Sequence, residues 1–193
     1  MHTLFPIEPV FPEGFLYIPQ FISDAEETAL YKAISEIELQ AFTFQGYEAK
    51  RRVASFGYDW NFEQQALLKG KAIPEIFTPL IEKVAKELGI KKELFAELLI
   101  TEYPVGSVIN WHRDAPPFDI VAGISLLSDC TFRLRPYDKA KQSRSAISSF
   151  PVNRCSLYVL KGVSRTEWQH SIAVVNQVRY SITLRTLRNE IPK

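Results

Sequence analysis

The chain has 193 residues, of which 46% are hydrophobic and 23% are charged, which is typical of one globular domain and excludes a disordered chain. Its 23 basic and 22 acidic residues give a formal net charge of +1. This balance disfavours a protein that coats nucleic acid through its overall charge, although a local basic patch stays open.

The N-terminal segment, residues 1–14, contains acids and prolines where a signal peptide has a basic start and an apolar core. No apolar run reaches the length of a membrane span. Cys130 and Cys155 are too few for a disulfide framework and predict small buried side chains in a reducing compartment. We therefore expect a cytoplasmic monomer with no membrane partner and no implied protein partner.

Two helices are predicted in the N-terminal half. Ser23 and Glu26 form a capping box, and apolar residues then recur at helical spacing, which predicts a helix over residues 24–38. A second helix is predicted from about Pro74 to Leu88. Pro79 lies inside that range and is expected to bend or shorten this helix.

After Leu94 the pattern changes to short β-rich segments separated by turns. These segments are LFAELLITEY (94–103), DIVAGISLLS (119–128), CTFRLRP (130–136), RCSLYVL (154–160) and QVRYSITLR (177–185). Helices followed by strands indicate an α+β protein rather than βαβ alternation. We predict a jelly roll of two antiparallel sheets, with the N-terminal helices packed on one side. Residues 137–149 are expected to form either a mobile loop or a solvated hairpin connection.

The chain has three histidines, of which His2 lies at the terminus and is expected to have no role. His112 and Asp114 would point to the same face of a strand, because side chains alternate along it. His170 follows 58 residues later. Two imidazoles and one carboxylate can form the facial triad that binds non-haem Fe(II). A surface or hydrogen-bonded core histidine is the alternative for His112.

The last predicted strand alternates between polar and apolar residues. Its polar face carries Arg179, Ser181, Thr183 and Arg185, and its apolar face carries Tyr180, Ile182 and Leu184. The two arginines are about 20 Å apart along the strand, so their side chains can reach opposite ends of one small dicarboxylate. A solvated strand face is the alternative. Together with the triad, this pair suggests an Fe(II) oxygenase that uses a 2-oxo dicarboxylic acid.

These motifs resemble the AlkB-like family of 2-oxoglutarate- and Fe(II)-dependent dioxygenases. The likeness covers about residues 50–187. It depends on the order and spacing of four pieces: Tyr103-Pro104-Val105-Gly106, His112-Arg113-Asp114, His170 and the run RYSITLR. The resemblance implies a double-stranded β-helix in one domain spanning residues 1–193, with a substrate-lid and helical region at about 50–93 and a jelly-roll core at 94–187.

The resemblance also implies residue roles. Iron would be bound by His112, Asp114 and His170, and 2-oxoglutarate by Tyr103, Arg179 and Arg185. Arg179 would pair with the distal carboxylate, Tyr103 would donate a further hydrogen bond, and Arg185 would lie by the carboxylate next to the keto group. The cofactor and co-substrates would be Fe(II), 2-oxoglutarate and O2.

The run from Arg51 to Tyr58 resembles the nucleotide-recognition lid of this family. The residues predicted to bind substrate are Arg51, Arg52, Phe56, Tyr58 and Trp60, in which fixed positive charge stands beside flat apolar surfaces. Core packing is the alternative for the aromatic members. The expected partner is alkylated DNA or RNA.

The resemblance implies oxidative demethylation of an N-alkylated base, with release of formaldehyde, succinate and CO2. Two departures leave the substrate open. Thr101 stands where the family commonly has asparagine, and Ala115–Phe118 stands where DNA-repair members carry acidic residues that help to choose the base. The same chemistry on a protein, lipid or small molecule is one alternative, and a non-catalytic nucleic-acid-binding module is another.

Overall fold

A computed structural model describes residues 11–44, 46–61 and 63–188 of the chain, so His2 lies outside the described residues. The strands are β1 (Phe15–Ile18), β2 (Gln40–Phe44), β3 (Tyr47–Asn61), β4 (Ala66–Lys69), β5 (Phe95–Tyr103), β6 (Ile109–His112), β7 (Phe118–Leu126), β8 (Cys130–Pro136), β9 (Ser148–Val152), β10 (Leu157–Leu160), β11 (Trp168–Ile172) and β12 (Arg179–Leu187). The helices are α1 (Asp24–Ser35), α2 (Thr78–Leu88) and α3 (Val163–Thr166). Within the described ranges, no helix is long and apolar enough to cross a membrane.

The strands form two antiparallel sheets that face each other. The larger sheet has the order β1-β10-β7-β12-β5-β3-β2, with β4 paired to β3, and the smaller sheet has the order β6-β11-β8-β9. One apolar cluster lies between the sheets and includes Phe132 and Leu134 from the smaller sheet and Tyr158 and Leu160 from the larger. The predicted α+β jelly roll is confirmed.

Helices α1 and α2 cover the outer face of the larger sheet. Ile34 of α1 and Val84 of α2 are buried there against sheet residues such as Ile100. The predicted capping box is present, with the Glu26 N–H donating to Ser23 Oγ at 3.2 Å and the Ser23 N–H donating to the Glu26 carboxylate at 2.7 Å. This arrangement leaves the opposite face of the larger sheet to the smaller sheet and the site.

Both predicted helices differ slightly at their ends. The helix predicted to reach residue 38 ends at Ser35, because the chain turns there toward β2 while its apolar spacing continues. The segment predicted to open the second helix at residue 74 forms a 3₁₀ turn over Glu75–Phe77. Pro79 therefore lies in the first turn of α2, where it does not interrupt a helical hydrogen bond.

Strand β12 lies between β5 and β7, and its predicted alternation is confirmed. Its apolar residues, including Ile182, belong to the apolar cluster between the larger sheet and helices α1 and α2, which we call the helix-side core. On the other face, the Arg179 side chain is fully buried and that of Arg185 is 14% exposed. This burial excludes the alternative of a solvated polar face for both arginines.

The strands before residue 94 are not indicated by the sequence pattern. β1 pairs with β10, and β3 pairs with β5 from Arg52 to Gly57. Part of the segment assigned to the lid therefore belongs to the larger sheet. Because β3 places polar residues over a cavity rather than over a core, its sequence lacks the apolar alternation that indicates a strand.

Residues 137–147 of the segment predicted over 137–149 form the connection of a hairpin, and its last two residues begin β9. The connection contains two 3₁₀ turns, Lys139–Lys141 and Arg144–Ala146, and it leads directly into β9, which pairs with β8. The predicted alternative of a hairpin connection is thus the one observed.

Candidate active site

His112, Asp114 and His170 converge at a single point. His112 ends β6 and lies opposite His170 of β11, with ring centroids 4.2 Å apart. Asp114 Oδ2 lies 3.6 Å from His170 Nε2, and the candidate ligand atoms of all three residues lie within 4.8 Å of one another. Asp114 lies two residues beyond the end of β6, outside the regular strand that the predicted alternation assumed.

The three side chains are in the protonation states that bind a divalent cation. Burial, and then the neighbouring His112, lowers the pKa of His170 to about 3, and burial also lowers the pKa of His112. Burial would raise the pKa of Asp114, but Arg185 and then the imidazoles hold this pKa well below its usual range. The site therefore offers two neutral imidazoles and one carboxylate, a set that suits Fe(II).

Hydrogen bonding around the triad also fits a metal ion. His112 Nδ1–H donates to the Asn110 carbonyl at 2.9 Å, which leaves Nε2 to coordinate. Asp114 Oδ1 accepts a hydrogen bond from Arg185, whereas buried Oδ2 has no donor among the described residues. A buried carboxylate oxygen without a donor is costly unless a cation binds it. These residues thus fit an iron ion held by His112, Asp114 and His170.

Arg179 presents a buried guanidinium with unused donors. Its Nε–H donates to Ser125 Oγ at 3.1 Å, and its Cζ lies 4.7 Å from the centre of the Tyr103 ring. The Tyr103 hydroxyl lies 3.3 Å from Ser181 Oγ. Arg179 Nη1 and Nη2 have no acceptor among the described residues. A cationic fork of this kind fits one carboxylate of a dicarboxylic acid such as 2-oxoglutarate.

Arg185 contacts the triad directly. Its Nε and Nη2 both donate to Asp114 Oδ1, at 3.1 and 2.7 Å, and its Nη1 donates to Glu97 Oε2 at 2.6 Å. Glu97 is 2% exposed and also accepts from Ser55 Oγ at 3.2 Å. Arg185 therefore orients the Asp114 carboxylate, and its predicted contact with 2-oxoglutarate stays a prediction.

We expect Arg185→Lys to lower the Fe(II) affinity about 10- to 100-fold, because partners that orient a metal ligand contribute this much. Lysine keeps the charge but cannot donate twice to Asp114 while also reaching Glu97. An anaerobic Fe(II) titration measures this effect, with Arg188→Lys as the matched control near the end of the same strand. Equal iron affinity in both variants would show that Arg185 does not position Asp114.

Comparison with known proteins agrees with this geometry. The model of the 2OG-Fe(II) oxygenase superfamily matches residues 14–185. The chain belongs to this superfamily. It is therefore an Fe(II)- and 2-oxoglutarate-dependent dioxygenase, and its cofactor and co-substrates are Fe(II), 2-oxoglutarate and O2. The relatives described next agree with the predicted AlkB-like type. The predicted family and cofactors are thus confirmed.

Two relatives of the oxygenase are mammalian ALKBH8 proteins, each named tRNA (carboxymethyluridine(34)-5-O)-methyltransferase ALKBH8. The Mus musculus protein is 30% identical over 168 residues, and the Macaca fascicularis protein is 28% identical over 170 residues. Each alignment covers 83% of this chain and 24% of the relative, so the chain spans about a quarter of these proteins.

Two solved structures share the fold. OsALKBH1 superposes with a TM-score of 0.69 at 13% identity, over 92% of this chain and all of that one. A prolyl-4-hydroxylase from Pseudomonas putida superposes with a TM-score of 0.64 at 16% identity, over 91% of this chain and 93% of its own. These likenesses support the jelly-roll fold of the oxygenase.

A cavity of about 910 Å³ opens onto the triad. His112, Asp114 and Arg185 line it, and its walls include Trp60 and Arg51, two of the predicted substrate residues. The Arg51 guanidinium lies 3.8 Å from the centre of the Phe42 ring. The oxygenase therefore presents aromatic and cationic surfaces next to its iron ligands.

The other three predicted substrate residues lie outside this cavity. Arg52 projects from the opposite face of β3 and pairs with Glu102 at 2.5 Å, and Phe56 packs against the helix-side core. Tyr58 lines a separate pocket that contains no triad residue. Side chains alternate along β3, so neighbouring residues lie on opposite faces of the sheet. The prediction that Arg52 and Phe56 belong to the same substrate site as Arg51 is therefore wrong.

Several site residues were not predicted. Arg165 is buried, and its Nη2 donates to the carbonyls of Asp114, Ala115 and Phe118 at 3.1, 2.7 and 3.0 Å. It thereby fixes the segment that follows β6. Ser125, Glu97 and Arg165 come from distant parts of the chain and match no local motif. Ser181 could have been identified from the sequence, because it shares the polar face of the last predicted strand with Arg179.

Thr101, which replaces the family's common asparagine, lines the cavity and is 4% exposed. It lies directly opposite Ser181 across the pairing of β5 with β12. Two short hydroxyl side chains therefore stand beside Arg179 and Tyr103 on neighbouring strands. The altered segment Ala115–Phe118 contributes Ala115 and Phe118 to the cavity wall, which gives that wall an apolar surface.

Proposed function

We propose that the oxygenase oxidatively demethylates N-methylated bases in nucleic acid, releasing formaldehyde, succinate and CO2. The observation that carries this proposal is the cavity at the triad, whose wall combines Trp60 with Arg51 stacked on Phe42. An enzyme that modifies a base takes it out of the stack or acts on single strands. Flat aromatic faces then hold the base, and fixed positive charge holds its phosphate.

Charge inside the cavity supports a cationic base as substrate. Asp59 lines the cavity and forms no ion pair with any residue that the structure describes. Burial raises its pKa despite the charge of Arg185, which is the response of a carboxylate without a close counter-charge. A base methylated on a ring nitrogen that bears no hydrogen, such as adenine N1 or cytosine N3, becomes cationic, and Asp59 would offset that charge.

The ALKBH8 relatives add support for a nucleic-acid substrate, since tRNA appears in their names. Those names describe proteins about four times as long as this chain, so their methyl transfer is not carried over. We take from them the class of substrate, which is RNA, while DNA with the same lesion remains an arm of the test.

Each residue of the site has a separate role in the proposed reaction. When bound, Fe(II) together with 2-oxoglutarate and O2 supplies an oxidant able to hydroxylate a C–H bond. Arg179 and Tyr103 would hold one carboxylate of 2-oxoglutarate, while Arg185 keeps Asp114 oriented toward the metal. Trp60 would hold the base with its methyl group toward the triad. The hydroxylated methyl group then leaves the nitrogen as formaldehyde.

The direct test is 2-oxoglutarate turnover with iron and ascorbate, measured with and without methylated single-stranded RNA or DNA. We expect the methylated strand to yield formaldehyde in step with succinate, whereas the unmethylated strand yields only the slow uncoupled succinate. Formaldehyde from a methylated peptide but from no nucleic acid would contradict the proposal and indicate a protein substrate.

Within this site, we expect Arg51→Ala and Trp60→Ala to lower kcat/KM for the methylated strand by about 5- to 150-fold, because stacking of one base contributes about 1–3 kcal/mol. Uncoupled turnover should stay near that of the native protein for Trp60→Ala, which removes no contact to the triad. Arg52→Ala is the matched control, since this neighbouring arginine faces away from the cavity. A loss in Arg52→Ala equal to that in Arg51→Ala would show that the cavity is not the substrate site.

A further inference from the structure

The outer face of the smaller sheet carries an arrangement of arginine and tryptophan that the iron chemistry does not use. We call it the Trp111 face and define it by Trp111 of β6, Arg133 and Arg135 of β8, and Gln169 and Ser171 of β11. Phe132 and Leu134 alternate with the two arginines and are fully buried between the sheets. The arginines therefore project to the opposite, solvent side.

Both arginines are held over the indole ring. The Cζ atoms of Arg133 and Arg135 lie 5.1 and 4.4 Å from the centre of the Trp111 ring. Arg133 Nε–H donates to Ser171 Oγ at 3.0 Å, and Arg135 Nε–H donates to Gln169 Oε1 at 2.8 Å. These contacts engage the Nε atoms of both arginines, whose α-carbons are about 7 Å apart along the strand.

The strands of this face carry positive charge and no carboxylate. The strands of the smaller sheet, all within the described residues, contain no aspartate or glutamate: their sequences are INWH, CTFRLRP, SSFPV and WQHSI. Neither Arg133 nor Arg135 forms an ion pair with any described carboxylate. A protein whose formal net charge is +1 thus concentrates cations on one sheet face.

The positive charge of the Trp111 face extends toward the cavity at the triad. Arg113, which lines the cavity, lies with its Cζ 3.6 Å from the centre of the Tyr137 ring, and Tyr137 is 49% exposed. Tyr137 follows the end of β8, two residues beyond Arg135. A second arginine–aromatic pair therefore joins the Trp111 face to the mouth of the cavity.

We propose that the Trp111 face and the Arg113–Tyr137 pair bind the phosphate backbone of a single-stranded polynucleotide, the strand whose modified base enters the cavity. This inference rests on the proposed function. Guanidinium groups bind phosphates through paired donors, and aromatic rings beside them accept unstacked bases. The arginines and the tryptophan lie on neighbouring strands of one sheet face, so a single extended strand could contact them together. The occupant is thus a polyanion with exposed bases.

The test is binding of an unmodified, fluorescein-labelled single-stranded RNA of roughly 15 nucleotides to the full chain, followed by anisotropy over a series of salt concentrations. For the double variant Arg133→Gln/Arg135→Gln we expect Kd to rise roughly tenfold. The slope of log affinity against log salt should fall by about 1.4, because each phosphate that is no longer neutralised lowers it by about 0.7. Glutamine can still hydrogen-bond to Ser171 and Gln169.

The matched control is Lys86→Gln/Lys91→Gln, which removes the same charge from the helical side of the molecule. We expect this control to bind with the affinity and the salt slope of the native protein. If the double variant loses its melting transition, the single variants should each lower the slope by about 0.7. Single-stranded DNA of the same sequence and the corresponding duplex are measured alongside.

The outcomes separate this inference from the proposed function. Equal affinity and slope in native protein and double variant, tighter binding of the duplex, or no binding by the native protein would each overturn the inference. Formaldehyde production decides the proposed function independently of these measurements. If the native protein demethylates the strand but the double variant binds RNA as the native protein does, the proposed function holds and the inference fails. If the double variant loses RNA binding but no demethylation is found, the inference holds and the proposed function fails.

Discussion

His112→Ala should abolish stoichiometric iron binding and lower 2-oxoglutarate turnover by more than about a hundredfold, since even outer-shell partners of a ligand contribute 10- to 100-fold. Two remaining ligands, His170 and Asp114, would hold the metal weakly. His112 suits this test because it ends β6 at the edge of the smaller sheet, and its side chain makes a local hydrogen bond to the Asn110 carbonyl. Its loss should therefore leave the fold intact.

The same result is expected for Asp114→Ala and His170→Ala, measured as iron content and succinate production. Asp114→Ala also leaves Arg185 without its partner, so its melting temperature is recorded as well. Asp119→Ala, an exposed carboxylate five residues along the chain, is the matched control. Native levels of iron and succinate in any of the three triad variants would remove that residue from the ligand set.

The triad was predictable because the facial arrangement needs few residue types, and the chain has few histidines to supply them. The regular strand that the prediction assumed is shorter than expected, since β6 ends at His112 and Asp114 lies in the segment beyond it. Carbonyls of that segment accept hydrogen bonds from Arg165. Local periodicity did not reveal this long-range contact.

Strand β12 shows what periodicity can reveal. Its polar and apolar residues face two different environments, so alternation marked Arg179 and Arg185 as members of one face. β3 shows the converse, because one of its faces borders a cavity and tolerates polar residues. Alternation there was weak, and Arg51 and Arg52 were placed in one site although they point to opposite sides of the sheet. Ser125 lies beyond any local rule, since it meets Arg179 through the pairing of β7 with β12.

Arg179→Lys should raise the KM for 2-oxoglutarate by about 10- to 150-fold, because a hydrogen bond to a charged group contributes about 1.5–3 kcal/mol. Lysine preserves the charge but loses the fork whose Nη1 and Nη2 are unused by the described residues. Tyr103→Phe should have a smaller effect, about 2- to 10-fold, since it removes one neutral hydroxyl. Arg144→Lys, on the exposed hairpin connection, is the control and should leave the KM unchanged.

A thermal measurement separates weaker co-substrate binding from a defect in folding. A ligand stabilises the folded protein by RT ln(1 + [L]/Kd), so a hundredfold weaker Kd removes about 2.7 kcal/mol of that stabilisation at saturating concentration. We expect 2-oxoglutarate to raise the melting temperature of the native protein clearly and that of Arg179→Lys very little, while both proteins melt alike without it. An equal rise in both proteins would show that the buried fork of Arg179 does not hold the co-substrate. A lower melting temperature of the variant in the absence of 2-oxoglutarate would instead assign Arg179 to the packing between the sheets.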